Sequence, residues 1–139
     1  MKNIKDVMTT QAFTLEASSP ITEAARIMSE RDVGDVLVTK HGELCGIVTD
    51  RDIVVRALAK GKDLETSVGE ICSMKLTTLS PNDSVDKAVE LMRENAVRRL
   101  PIVEDGKPVG MVSLGDLAMD RDPRSALADI SAAPPNNDD

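Results

Sequence analysis

Gly46-Ile47-Val48-Thr49-Asp50-Arg51-Asp52 returns sixty-four residues later as Gly110-Met111-Val112-Ser113-Leu114-Gly115-Asp116. In both places a glycine opens a short apolar run, a hydroxyl residue follows, and an aspartate stands after two variable positions. A strand that runs straight into a helix has this pattern. Two copies of one junction imply two copies of one fold unit.

Sliding the chain against itself by 64 positions, without a gap, tests that register. Thr14 falls on Thr78, Leu15 on Leu79, Ala24 on Ala88, Met28 on Met92, Glu30 on Glu94, Val33 on Val97, Gly42 on Gly106, Gly46 on Gly110, Val48 on Val112 and Asp52 on Asp116. The identities run from one end of the unit to the other, so the duplication covers the whole repeat. Repeat 1 spans residues 4–61, a charged and polar connector 62–67, and repeat 2 residues 68–122. Each half, at about 60 residues, would be marginal alone, which predicts that the halves share a core.

Within each repeat the predicted order is strand, helix, hairpin, helix. Lys5 to Thr10 forms a helical lead-in and Phe13 to Leu15 a brief strand. Ser18-Ser19-Pro20 signals the start of a helix, and Ile21, Ala24, Ile27 and Met28 line one face of it up to about Arg31. Asp35 to Thr39 and Leu44 to Val48 pair around the turn Lys40-His41-Gly42-Glu43, and Asp50 to Lys60 is a helix capped by Gly61. In the second half a strand is expected at Thr77–Leu79. A helix follows from Val85 to Asn95, capped by Asp83 or Ser84, and a hairpin at Leu100–Val103 and Val109–Val112 turns through residues 104–107. The segment 123–139, with Pro, Asn and Asp but no apolar periodicity, is expected to be a disordered acidic tail.

Composition excludes several functions. The formal charge of −7 opposes a phosphate backbone, and a single Phe with no Trp or Tyr removes the stacking platforms of single-strand binders, so no nucleic-acid partner is expected. The N-terminus lacks an apolar core of signal-peptide length and no run approaches a membrane span, which predicts a cytoplasmic protein with no membrane partner. Cys45 and Cys72 have no second ligand at metal spacing and read as small apolar residues. His41, the only histidine, sits in a predicted turn with no partner for catalysis. Met28 and Met92 occupy matching core positions.

Thr49 with Asp52, and Ser113 with Asp116, fit a capping box, in which hydroxyl and acid satisfy free amides at a helix start. The same geometry suits a ligand. A helix start offers unpaired N–H groups and partial positive charge to a phosphate, and a nearby Asp can accept from both hydroxyls of a ribose.

Two tandem units ending in Gly-apolar-apolar-Thr/Ser-x-x-Asp resemble cystathionine-β-synthase (CBS) domains, and the pair resembles a Bateman module over residues 4 to 122. The resemblance implies an α+β fold of the α/β-type CBS kind. It also implies two β-α-β-β-α repeats packed through their sheets with pseudo-two-fold symmetry, and clefts between them that take adenosyl ligands. By the same likeness Asp52 and Asp116 would bind ribose, and Thr49 and Ser113 would reach phosphate. Arg98-Arg99-Leu100-Pro101-Ile102-Val103 resembles the family's strand before the motif, with Pro101 and a basic residue suited to phosphate. The first repeat has Asp35 where Arg99 stands, offset by Arg51 inside its motif. The site with Asp116 is therefore the expected nucleotide site, unless Arg98 and Arg99 are only solvated charges.

No nucleophile with its base, acid–base carboxylate pair or metal cage is visible, so no enzyme activity, metal or required cofactor is expected. The expected function is a stand-alone regulatory module of the energy-sensing kind. It would bind AMP, ADP, ATP or a related adenosyl compound such as NAD or S-adenosylmethionine, and signal to an unknown effector protein in trans. The resemblance also implies a flat homodimer built on the helices after each motif. The alternative is a structural or protein-interaction dimer with empty or vestigial clefts.

Overall fold

The computed structural model describes residues 2–10, 12–121 and 130. The expected disordered tail, 123–139, therefore lies outside the described residues apart from Ile130. Within them the order is a 3-10 turn (Ile4–Asp6), β1 (Thr14–Glu16), α1 (Ile21–Arg31), β2 (Asp35–Lys40), β3 (Glu43–Thr49), α2 (Asp50–Asp52), α3 (Val68–Ile71), α4 (Val85–Asn95), β4 (Arg99–Glu104), β5 (Lys107–Ser113) and α5 (Leu114–Arg121). From Asp52 the helical path continues as a π turn at Ile53–Ala57 and a 3-10 turn at Leu58–Lys60, and ends at Gly61 with φ 73°. The mixed helix and strand fold expected from the sequence is present.

The chain divides into two compact units that do not follow the order of the repeats. One is Ala12–Leu76, and the other joins the segment up to residue 11 to the chain from Thr77 onward.

In the unit 12–76, β1 runs parallel to β2, and β2 pairs antiparallel with β3. α1 lays Ile21 and Ala24 into a core with Val36, Val38, Val48, Ala57, Val68 and Ile71. The cap position of α1 is Pro20, without a side-chain hydrogen bond, so neither Ser18 nor Ser19 caps the helix. Pro at this end has no donor to leave unpaired. The hairpin turns through His41 (φ 55°) and Gly42 (φ 81°), the two left-handed positions of a type I′ turn.

The second unit repeats the hairpin, with β4 antiparallel to β5 around Asp105 (φ 53°) and Gly106 (φ 79°). Its core gathers Ile4, Leu79, Val85, Ala88, Met92, Leu100, Ile102, Val112 and Leu117. Burying each of these larger side chains contributes about 1.5–3 kcal/mol. Ser84, not Asp83, caps α4, its Oγ accepting from Lys87 N at 3.1 Å. Asp83 instead accepts from Ser80 N at 2.8 Å.

The strand expected at Thr77–Leu79 is reduced to a single bridge between Leu79 and Ile102. In the first repeat, Leu37 N donates to Phe13 O at 2.9 Å. The residue matching Leu37 is Pro101, which has no N–H to offer Thr77, so the strand cannot extend in that direction.

The lead-in also differs from expectation. It is one 3-10 turn, Ile4–Asp6, followed by an extended Thr9 whose N–H and C=O both bond Met111 (2.8 and 2.9 Å). The 64-residue offset places this segment on α3 and Ser73, and Ser73 exchanges the same pair of bonds with Ile47 (3.0 and 2.9 Å). Each repeat's lead-in thus adds to the hairpin of the other repeat. The motif glycines make room for it. A β-carbon on Gly46 would stand 2.7 Å from Cys72 Sγ and 2.9 Å from Ser73 O, and one on Gly110 2.7 Å from Thr9 O.

Candidate functional site

The two strand-to-helix junctions are built alike. Thr49 closes β3 in extended conformation (φ −114°, ψ 165°) and caps α2. Its Oγ1 accepts from Asp52 N at 3.1 Å, and its own N–H donates to Asp52 Oδ2 at 2.9 Å. Ser113 and Asp116 make the same pair of bonds at 3.1 and 2.9 Å. Both motifs are therefore reciprocal capping boxes. The first amide of each helix is satisfied by the chain before the hairpin, Asp50 N donating to Gly34 O (3.1 Å) and Leu114 N to Arg98 O (2.8 Å).

Of the residues singled out from sequence, Ser113, Asp116, Arg98 and Arg99 come together at one end of the β4–β5 hairpin. Arg99 lies opposite Ser113 in the strand register. Arg98 and Arg99 are exposed. Pro101 is buried two residues further along β4, opposite Met111, where its carbonyl accepts from Leu79 N. At the other junction Thr49 and Asp52 meet, Asp35 lies opposite Thr49, and Arg51 is exposed with its amide on Asp50 Oδ1 at 2.8 Å.

The chemistry available at each junction is that of recognition. The hydroxyl oxygen is used as an acceptor within the box, leaving its proton as a donor. The carboxylate uses Oδ2 within the box, and Oδ1 lies outside it. A helix start beside a hydroxyl proton and a carboxylate oxygen fits a phosphoribosyl group.

Sequence reasoning missed Arg56. Its Nε lies 3.6 Å from Asp52 Oδ1, and its Nη1 donates to Ile71 O at 3.3 Å. The i,i+4 spacing from Asp52 was the available signal. The matching residue, Asp120, accepts instead from Lys2 Nζ, and this bond holds the Lys2 ammonium above its ordinary range.

Away from the motifs, a cavity of about 410 Å³ in the unit 12–76 is bordered by Glu16, Lys40, His41, Ser67 and Glu70. Glu16 already accepts from His41 N (3.0 Å) and Thr39 Oγ1 (3.1 Å) there. Among the described residues, no three His, Cys, Asp or Glu side chains are grouped to hold a metal, and no helix is long and apolar enough to cross a membrane.

Comparison with known proteins identifies the fold. The model of the CBS domain matches residues 4–58 and again 68–121. The CBS domain-containing protein YhcV of Bacillus subtilis is 43% identical over 135 residues, covering 94% of this chain and 96% of its own. The crystal structure of Hypoxic Response Protein I with two coordinated zinc ions matches at TM-score 0.78 and 31% identity, over 86% of this chain and 99% of that one. The CBS domain pair of MJ0100, in complex with 5′-methylthioadenosine and S-adenosyl-L-methionine, matches at TM-score 0.74 and 28% identity, over 85% of this chain and 94% of that one. The two matched segments lie within the two sequence repeats, and the chain belongs to the CBS-domain family as a tandem pair of these domains.

Proposed function

We propose that this CBS pair is a regulatory module that binds an adenosyl ligand without turning it over. The observation that carries the reading is the junction at Ser113 and Asp116, where a carboxylate oxygen and a hydroxyl proton stand at a helix start with Arg99 opposite in register. The adenosyl compounds bound by the MJ0100 pair support the ligand class. Asp116 accepts the ribose hydroxyls, while Ser113 and the basic pair Arg98 and Arg99 favour phosphate. Thr49, Asp52 and Arg51 form the second, weaker site, where Asp35 replaces Arg99 and repels an anion. Pro101, two residues beyond Arg99 on β4, is the remaining residue proposed for the ligand site.

The module signals to an effector protein in trans from the cytoplasm, as a homodimer of about 30 kDa. Val54, Val55 and Leu58, exposed after the first motif, supply apolar surface for the partner copy. Calorimetric titration with AMP, ADP, ATP, NAD and S-adenosylmethionine tests the ligand reading. Uptake of one of them that is abolished by Asp116→Ala is the expected result, and steady hydrolysis lost in the same variant would contradict the absence of turnover.

A second reading is favoured by one observation. The capping boxes give Thr49, Asp52, Ser113 and Asp116 a structural purpose that needs no ligand. The pair would then be an interaction module with vestigial sites, dimeric in light scattering and silent toward the whole panel.

A further inference from the structure

The two junctions carry opposite charges one helical turn beyond their motif carboxylates: Arg56 four residues after Asp52, Asp120 four after Asp116. Arg56 Nε faces Asp52 Oδ1, the oxygen that the capping box leaves over, across 3.6 Å. Its Nη1 is held from another direction by the carbonyl of Ile71, the last residue of α3. Terminal carbonyls of a helix lack partners inside it, so this bond is an added anchor. The Asp52 side chain is only 16% exposed and that of Arg56 53%, which leaves the acid recessed under its cover. In the other unit the arrangement is inverted, because Asp120 is engaged by Lys2 and brings no cation to Asp116.

We propose that Arg56 masks Asp52 and thereby makes Asp116 the ribose acceptor of this chain. The inference rests on the adenosyl reading above and adds to it the residue that sets which junction is used. A ribose that engages a carboxylate through its two hydroxyls must reach the second oxygen. At Asp52 it must first displace a guanidinium and break the bond to Ile71. A half-exposed ion pair is weak, so the mask changes affinity by about three- to tenfold rather than absolutely. A guanidinium is also a phosphate ligand, and if Arg56 served the ligand directly its removal would weaken binding. The sign of the effect therefore separates the two roles.

The experiment is calorimetric titration of AMP, ATP and S-adenosylmethionine into the full chain, comparing wild type with Arg56→Met, Arg56→Lys, the double variant Arg56→Met/Asp52→Ala, and Asp116→Ala. Wild type is expected to take up one equivalent per chain tightly, lost in Asp116→Ala, and a second more weakly. Arg56→Met tightens the second about three- to tenfold, the double variant loses it, and Arg56→Lys keeps the wild-type affinity there. The converse pair guards against misfolding of Arg56→Met. Asp120→Arg weakens uptake at Asp116 by about three- to tenfold relative to Asp120→Asn, both having lost the Lys2 contact. Binding in wild type through Asp116 with no gain in Arg56→Met, or weaker binding in Arg56→Met, overturns the mask and leaves the adenosyl reading standing. No uptake by either chain overturns both.

Discussion

The carbonyl oxygen of Thr9 lies 2.7 Å from the point where a β-carbon on Gly110 would sit. Thr9 is also bonded through both backbone groups to Met111, so it cannot retreat without losing them. Gly110→Ala must therefore push backbone against backbone. We expect a loss of about 1–3 kcal/mol in urea unfolding, as for other overpacked sites. Gly42→Ala, in open space at φ 81°, meets no atom and loses only about 1 kcal/mol from its left-handed backbone. Equal losses at the two positions would show that close approach is not what Gly110 serves.

Ser113 and Asp116 satisfy two amides reciprocally at the start of α5. Removing either acceptor, by Ser113→Ala or Asp116→Ala, should cost about 1 kcal/mol of stability. Binding should distinguish them. Asp116→Ala loses the ribose acceptor and hence adenosyl uptake, whereas Ser113→Ala loses one donor and weakens uptake about tenfold. A matched pair of stability losses, with no uptake by wild type or either variant, would favour the interaction module.

Pro101 leaves Thr77 without the donor that Leu37 gives Phe13. Pro101→Leu should restore that hydrogen bond and lengthen the parallel pairing of Leu79 with Ile102 into a strand. Amide exchange reads this directly, since the new N–H at position 101 should be as protected as that of Leu37. Free exchange at position 101 would mean that something other than the missing donor shortens the strand.

Burial pushes the Cys72 thiol above its ordinary range, with the neighbouring Cys45 raising it further. A raised thiol stays protonated in the fold, so its contribution to stability is complete below the ordinary thiol value and fades as the pH rises through the folded one. At pH 8, iodoacetamide should label partly exposed Cys45 well before buried Cys72, and urea should equalise the two. Mass spectrometry showing Cys72 labelled first in the native protein would contradict this.

Much of this fold is legible in local sequence because its signals are local. His41-Gly42 and Asp105-Gly106 mark their turns through left-handed backbone, and the Thr49–Asp52 spacing marks its helix start. What was not legible depends on partners far along the chain. Pro101 decides the fate of Thr77–Leu79, and the hairpin glycines answer to Thr9 and Ser73. α3, only Val68–Ile71 with a glycine inside it, is too short for any periodicity to reveal. Nor does composition announce the π turn at Ile53–Ala57 that follows the first motif. The motif residues could be named from the repeat alone. Whether their carboxylate oxygens stand open or covered needed the position of Arg56.

The exchange of lead-ins sets an order of assembly. Residues 12–76 are contiguous, so that unit can close while the rest of the chain is still being made. The segment before it cannot settle in the same way. Ile4 belongs to a core with Val112 and Leu117, and Thr9 waits for Met111, which the ribosome delivers about 100 residues later, several seconds at ordinary rates of synthesis. During that interval the N-terminal segment lacks the hairpin it completes. A chain cut after the first repeat would carry that segment with no β5 to receive it, and would lack the α3 and Ser73 that finish its own hairpin, so the sequence repeat is not a portable folding unit.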